Sequence, residues 1–226
     1  KNFGMRALLD RCLKEGEKIS VGREGFFIGP VINAGGRMST AQLVMKLLFS
    51  SSRDEAEKIL DELIYLNEER KKATEDAVKI IKKKYELAPP SDDVIIEYDP
   101  LCHESVAGIA AGRIKDIFYK PTIVLTDSEE EGYIKGSARS VEGFDIFERI
   151  LGVSDLLSRF GGHPMAAGLT LKKSNLDEFI RRMNEPPWPE GAERFKRVTI
   201  DAAVVFSAIS RQAVDELQLI EPCGKG

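Results

Sequence analysis

The stretch VIIEYDPLCHESVAGIAAGRIKDIFYKPTIVL, residues 94–125, decides the architecture. Val94, Ile95 and Ile96 form one short apolar run, and Thr122 to Leu125 form a second, each bounded by turn-forming residues as strands are. Ser105 to Phe118 between them reads as a helix. Strand, helix and strand in succession are the unit from which α/β domains are built.

The pattern continues on the C-terminal side. Tyr133 to Ser140 alternates like a strand, Phe144 to Ile150 and Ser154 to Phe160 read as helices, and Ala167 to Leu171 reads as a strand. Leu176 to Met183 closes the domain as a helix with Ser174 as its cap. Glu185-Pro186-Pro187-Trp188-Pro189 follows as a stiff linker. Beyond it, Arg197 to Asp201 reads as one strand and Ser210 to Leu217 as a helix, too little chain for a stable domain of its own.

On the N-terminal side lies the longest element. Ser52-Arg53-Asp54-Glu55 is a capping box, in which the Ser hydroxyl bonds the first turn and the Glu reaches back. Apolar residues then recur at the helical period, at Ala56, Ile59, Leu60, Leu63, Leu66, Ala73, Ala77, Ile80 and Ile81. Pro89-Pro90 cannot continue a helix. The resulting rod, about 33 residues and about 50 Å long, has the form of a bridge between two domains. Before it, Phe3 to Leu13 and Thr40 to Leu48 read as short helices. The glycine-dense segment between them, Gly25 to Met38, reads as irregular backbone that passes close to something. The opening Lys1-Asn2-Phe3-Gly4 and the glycine-rich close at Gly226 read as the ends of a piece cut from a longer chain.

Composition narrows the function classes. With 42% hydrophobic and 31% charged residues the chain is globular rather than disordered. No apolar run approaches the roughly 20 residues of a membrane span. The net charge of −4 removes a bulk basic footprint, although local clusters can still steer a nucleic acid. Cys12, Cys102 and Cys223 are widely spaced and only two histidines are present, so no zinc-type ligand set exists and a reducing cytoplasm is the expected compartment.

Four clusters carry possible chemistry. In Asn33-Ala34-Gly35-Gly36-Arg37, small residues let amides approach an anion and the Arg fork matches phosphate oxygens, or the segment is a tight turn with an Arg ion pair. Lys135-Gly136-Ser137-Ala138-Arg139-Ser140 is either a phosphate grip or an exposed edge strand with polar decoration. Phe160-Gly161-Gly162-His163-Pro164-Met165-Ala166-Ala167-Gly168 either presents an imidazole at a loop edge or is a turn into a packed element. Cys102-His103-Glu104-Ser105 opens a helix, where His103 could add a donor for an anion or Glu104 and Ser105 could cap; Cys102 is expected in the core. Converging Asp and His side chains are missing: Asp92-Asp93 is the one adjacent Asp pair, in a Pro-rich loop without a His. No Ser-His-Asp or Cys-His spacing supports nucleophilic catalysis.

Taken in order, these segments resemble the RecJ-type single-stranded-DNA exonucleases of the DHH phosphoesterase superfamily. Gly29 to Met38 is similar to that family's G-P-x-I-N-A-A-G-R-M segment, with Gly35 where Ala is usual. His103 to Ile109 is similar to H-x-G-V-x-G-I, with Ser105 for Gly and Cys102 for an aromatic before the His. Lys135–Ser140 and Phe160–Gly168 resemble the G-S-x-R-S and G-G-H-x-x-A-A-G signatures.

The resemblance implies residues 1–50 as the tail of the catalytic core, 51–90 as the connecting helix and 91–184 as a DHH-associated α/β domain with a mixed sheet. A linker at 185–193 and the start of an oligonucleotide-binding β-barrel at 194–226 complete the implied order. It implies a 5′-to-3′ exonuclease in which Arg37, Ser137 and Arg139 hold the 5′-terminal phosphate region, Asn33 supports the loop, and Gly161, Gly162 and His163 line the cleft, with His103 as a further contact. Two divalent metals, manganese or magnesium, would be held by an absent N-terminal domain, leaving no catalytic or metal-binding residue in this segment. The implied partner is single-stranded DNA with a 5′-phosphate, in DNA repair and recombination, with no membrane. The alternatives are a DHH-family phosphodiesterase for short oligonucleotides or cyclic dinucleotides, and a non-catalytic nucleic-acid-binding scaffold.

Overall fold

The computed structural model describes residues 2–14, 16, 19–86 and 88–220. Two units are present, residues 1–68 with 197–226, and residues 69–196.

In the first unit α1 (Phe3–Cys12) is capped by the Asn2 side chain, which accepts from the Met5 amide. A short α2 (Val21–Arg23) runs into a π-helical turn, Glu24–Ile28, and then into α3 (Gly29–Met38). The glycine-dense segment is thus helical, contrary to the irregular backbone expected of it. Two features explain the outcome. The Gly29 amide bonds five residues back, to the Glu24 carbonyl, immediately before Pro30, which has no N–H to donate. Gly35 serves as a contact surface: a Cβ there would lie 2.8 Å from Val44 Cγ2 and 2.9 Å from Leu63 Cδ2. Its missing side chain lets α3 approach α4 (Ala41–Leu48) and the first half of α5 (Arg53–Lys84). Leu8, Val31, Leu47, Ala56, Leu60 and Leu63 form the core beneath.

The α5 start follows the capping-box expectation with one shift. The Glu55 amide bonds Ser52 Oγ, and the Glu55 carboxylate accepts from the Ser51 amide, 2.8 Å away. The helix closes with Lys82, Lys83 and Lys84, cations that suit the negative end of its dipole.

In the second unit five strands form one mixed sheet in the order β1-β2-β3-β5-β4. These are β1 (Ile95–Tyr98), β2 (Thr122–Asp127), β3 (Tyr133–Arg139), β4 (Leu157–His163) and β5 (Ala166–Lys172). The β1–β2 pair is parallel and joined through α6 (Glu104–Phe118); the remaining pairs are antiparallel. β3 is the middle strand, which rules out the edge-strand reading of Lys135–Ser140. One face of the sheet, through Ile123, Leu125, Ile134, Ala138, Leu169 and Leu171, packs against α7 (Ile146–Leu151) and α8 (Leu176–Asn184), with Phe144, Phe179 and Met183 filling the interior. On the other face Val106, Ala107, Ala110, Ala111 and Ile114 of α6 pack on Ile95 and Val124, backed by Ala77 and Ile81 of α5.

Several local expectations change. Ser154–Phe160 is a single 3-10 turn (Ser154–Leu156) followed by β4, because Arg159 to His163 pairs with β5 along its length. α7 begins at Ile146, where the Asp145 side chain caps by accepting from the Glu148 amide. The residue before α8 is Asn175 rather than Ser174, and it makes no capping bond. The Pro-rich stretch after α8 lies against the domain: Trp188 packs on Phe144 with ring centroids 5.0 Å apart, and Arg149 donates to the Pro186 and Pro187 carbonyls.

Arg197–Asp201 is not a strand. Val198 and Ile200 are 78% and 79% exposed, and no strand among the described residues pairs with this stretch. Among the described residues from 194 to 220 there is a 3-10 turn and α9 (Arg211–Gln218), capped by Ser210 at the first residue of the helix expected over 210–217, and no strand of a barrel. Cys223 and the rest of Glu221-Pro222-Cys223-Gly224-Lys225-Gly226 lie outside the described residues.

Candidate nucleic-acid interface

Register places two of the four sequence clusters, Lys135–Ser140 and Phe160–Gly168, on one surface. Across β3, β5 and β4, Lys135 pairs with Thr170 and Thr170 with Arg159. Two residues along, Ser137 pairs with Gly168 and Gly168 with Gly161. Two further along, Arg139 pairs with Ala166 and Ala166 with His163. Side chains alternate across a strand, so these three rows share a face while Ile134, Ala138, Ala167 and Leu169 point into the opposite core.

α6 covers part of that face, and its glycine sets how closely. A Cβ on Gly108 would stand 2.7 Å from Arg139 Nη2 and 3.3 Å from Ser137 Oγ. Gly108 therefore makes room for a guanidinium and a hydroxyl beneath the helix. Arg139 Nη1 donates to its neighbour's carbonyl at Ala138, 2.7 Å away, which fixes the plane of the fork. Beyond α6 the sheet is open, and a cleft of about 430 Å³ is lined by Glu104, Lys135, Ser137, Arg159, Gly161 and Thr170, among others. Lys135 forms an ion pair with Glu104 at its edge.

The remaining assignments divide. Gly161 has open space where a Cβ would stand, whereas one on Gly162 would lie 2.4 Å from the Ala166 carbonyl oxygen and 2.6 Å from Ala167 Cα. Gly161 thus shapes the cleft floor, and Gly162, on the other side of the strand, permits close approach of β4 and β5. His163 ends β4 and accepts from the Met165 amide at Nδ1, 3.3 Å, leaving Nε2 as the proton-bearing nitrogen. It is a strand residue rather than a loop residue.

His103 itself caps α6: its Nδ1 accepts from the Ser105 amide at 3.3 Å and lies 2.7 Å from Ser105 Oγ. That replaces the expected capping by Glu104 and Ser105, since Glu104 turns to Lys135. His103 lines a different cleft, of about 630 Å³, with Asp76, Lys79, Lys83 and Asp99. Asn33, Gly36 and Arg37 share the exposed face of α3 in the first unit, at the i, i+3, i+4 spacing, while Val31, Ala34 and Gly35 are buried behind them.

Burial pushes the Cys102 thiol up to about 11, with Asp99 adding to the shift, so Cys102 is a core residue and no nucleophile. Among the described residues no three His, Cys, Asp or Glu side chains are placed to hold a metal ion.

Lys135, quoted in a recognised cluster without a role of its own, belongs to the surface, as do Arg159 and Thr170, which sequence reasoning did not single out. Arg159 and Thr170 each stand two residues from a glycine of a recognised cluster, the strand period. Reading Ser154–Phe160 as helix concealed Arg159.

Comparison with known proteins supplies the rest. The DHHA1 domain model matches residues 91–186. The single-stranded-DNA-specific exonuclease RecJ of Bacillus subtilis is 39% identical over 165 residues, 71% of this chain and 20% of the relative. That of Salmonella typhimurium is 30% identical over 232 residues, 98% of this chain and 40% of the relative. The structure superposes on crystalline Thermus thermophilus RecJ in complex with Mn2+ with a TM-score of 0.84 at 27% identity, covering 98% of this chain and 32% of that one. Residues 91–186 thus match a DHHA1 domain, and the chain is similar to RecJ exonucleases along nearly its whole length. It spans between a fifth and two fifths of these two curated RecJ relatives.

Proposed function

We propose that this chain is the substrate-positioning segment of a RecJ-type 5′-to-3′ exonuclease acting on single-stranded DNA in repair and recombination, in the cytoplasm. The observation that carries the reading is the alignment of Ser137, Gly168 and Gly161, flanked by Arg139 and His163, on one sheet face that is partly covered by α6 and open beyond it.

On this reading Arg139 presents its fork to the 5′-terminal phosphate, the Ser137 hydroxyl donates to it, and His163 adds the Nε2 donor. Gly161 and Gly168 let the strand lie close to the sheet. Contacts of this kind go to phosphate rather than base edges, which suits an enzyme that must accept every sequence. Asn33 and Arg37, on the exposed face of α3, are assigned as further polar contacts for DNA, Gly162 holds the hairpin that bears His163, and His103 acts through its own cleft as an outlying contact. The RecJ structures from Thermus thermophilus hold Mn2+ and Mg2+. Such ions activate water and stabilise charge on the phosphate. The described residues do not fit them, and hydrolysis is assigned to the part of the relatives outside the matched segment. Correct placement of the scissile bond is itself a large share of catalysis.

The test is anisotropy of a 3′-labelled single strand with and without a 5′-phosphate, across a salt series with manganese present. Tighter, salt-sensitive binding of the phosphorylated strand without cleavage is expected, and Arg139→Ala abolishes the preference. Indifference to the 5′-phosphate overturns the reading; cleavage by this chain alone overturns the placement of hydrolysis elsewhere.

A further inference from the structure

The row Lys135–Thr170–Arg159 stands apart from the residues just assigned to the terminal phosphate. It crosses the same three strands two residues from the Ser137–Gly168–Gly161 row, about 6.7 Å along the strands. That offset is about one nucleotide step of an extended strand. The row bounds the cleft at its outer end, with a cation on each flank and a hydroxyl between them.

The two cations are not equivalent. Lys135 is paired with Glu104, whereas Arg159 is exposed and has no carboxylate partner among the described residues. The positive charge that this row offers to a ligand is therefore mainly that of Arg159, with the Thr170 hydroxyl beside it. A base-reading role does not fit the surface. Phe160, the aromatic residue at the rim, alternates away from Arg159 and Gly161 and sets its ring 6.2 Å from Phe147. The Lys135–Thr170–Arg159 row itself carries no aromatic ring on which a base could stack.

We infer that Arg159, with Thr170, is a second anion subsite of the cleft, which takes the internucleotide phosphate next to the 5′-terminal one. The inference rests on the proposed reading of the Ser137–Arg139 row as the terminal-phosphate grip. Its consequence is a minimum length: two successive phosphates fill the cleft, so a 5′-phosphorylated dinucleotide binds better than a mononucleotide.

The experiment is competition of 5′-phosphorylated thymidine mononucleotide and dinucleotide against a labelled 5′-phosphorylated oligonucleotide, with the unphosphorylated dinucleotide as control. In the full 226-residue chain, Arg159→Ala lowers the dinucleotide's advantage over the mononucleotide by roughly tenfold, the scale of one charge-assisted contact. Mononucleotide affinity stays within about twofold, and the salt slope for the oligonucleotide falls by about 0.7, one phosphate's share. Arg159→Lys keeps the salt slope, which separates lost charge from a disturbed fold. An unchanged dinucleotide advantage in Arg159→Ala overturns the subsite. Equal weakening of both nucleotides also overturns it, by moving Arg159 to the terminal phosphate. If the wild-type chain binds phosphorylated and unphosphorylated dinucleotide alike, the terminal-phosphate reading fails first and the second subsite falls with it.

Discussion

The two faces of the five-stranded sheet are built from alternate residues of the same strands yet follow opposite rules. On the face covered by α7 and α8, large side chains such as Phe144, Ile146, Leu171, Phe179 and Met183 are fully or almost fully buried and leave no room. On the other face, beyond α6, the strands β3, β5 and β4 carry Gly168, Gly161, Ser137 and Thr170 with Arg and Lys at the margins. The first face stabilises the domain. The second leaves the same sheet exposed, with a polar surface flat enough for a chain to lie on it. The core thus lies on one side of this sheet and the surface proposed for binding on the other, and substitutions on the two sides should separate accordingly.

The sharpest division comes from Phe179→Ala on the closed face. Removing a fully buried ring leaves a cavity and costs about 3–5 kcal/mol in urea unfolding, with the 5′-phosphate preference of the remaining folded protein unchanged. An equal loss of stability from Arg159→Ala would erase the distinction.

A smaller effect is expected within one dipeptide. Gly162→Ala forces a Cβ to within 2.4 Å of the Ala166 carbonyl oxygen, a backbone atom that cannot move aside easily. It should cost about 1–3 kcal/mol as overpacking does. Gly161→Ala meets nothing within 4 Å, so stability changes by less than about 0.5 kcal/mol, while affinity for the single strand falls because the methyl occupies the cleft floor. Thermal unfolding and anisotropy on both variants check the pair, and the reverse ranking would mean that the floor has been placed on the wrong glycine.

The smallest effect concerns Cys102, buried under α6. Its thiol is held up at about 11 against an ordinary 9.0, so the folded protein keeps a proton that the unfolded chain releases. Stability from this residue is complete below about pH 9 and declines as pH rises toward about 11. Cys102→Ala should flatten that decline, read as the difference in urea midpoint between pH 8 and pH 10.5. A slope identical in both proteins would remove Cys102 as its source.

Much of this was legible in the sequence because it depends on local signals. Ser52 and Glu55 mark the start of α5, apolar spacing carries it to Lys84, and the runs at 94–98 and 122–127 mark strands whatever surrounds them. Family resemblance brought Ser137, Arg139 and His163 together before any coordinates, and the geometry sets them on one face. The two glycine-rich segments resisted a local reading. Gly35 and Gly162 both permit close contacts, one against side chains of α4 and α5 and the other against the strand β5; their small size states that something is near without stating what. Arg159 was hidden for the related reason that β4 becomes a strand only through its pairing with β5.

By itself the sequence determined the long helix, the strand–helix–strand run of residues 94–125, the α/β character of residues 91–184 and the residue types that suit a phosphate. Only the tertiary structure decided that Gly29–Met38 is helical, that β3 lies at the centre of its sheet, that Arg197–Asp201 has no strand to pair with among the described residues, and that Lys135, Thr170 and Arg159 form one row. The physical reason is common to all four. Helix caps and apolar periods act within a turn or two of chain, whereas register, close helix contact and strand pairing are relations between residues distant in sequence, and they exist only once the partner has arrived.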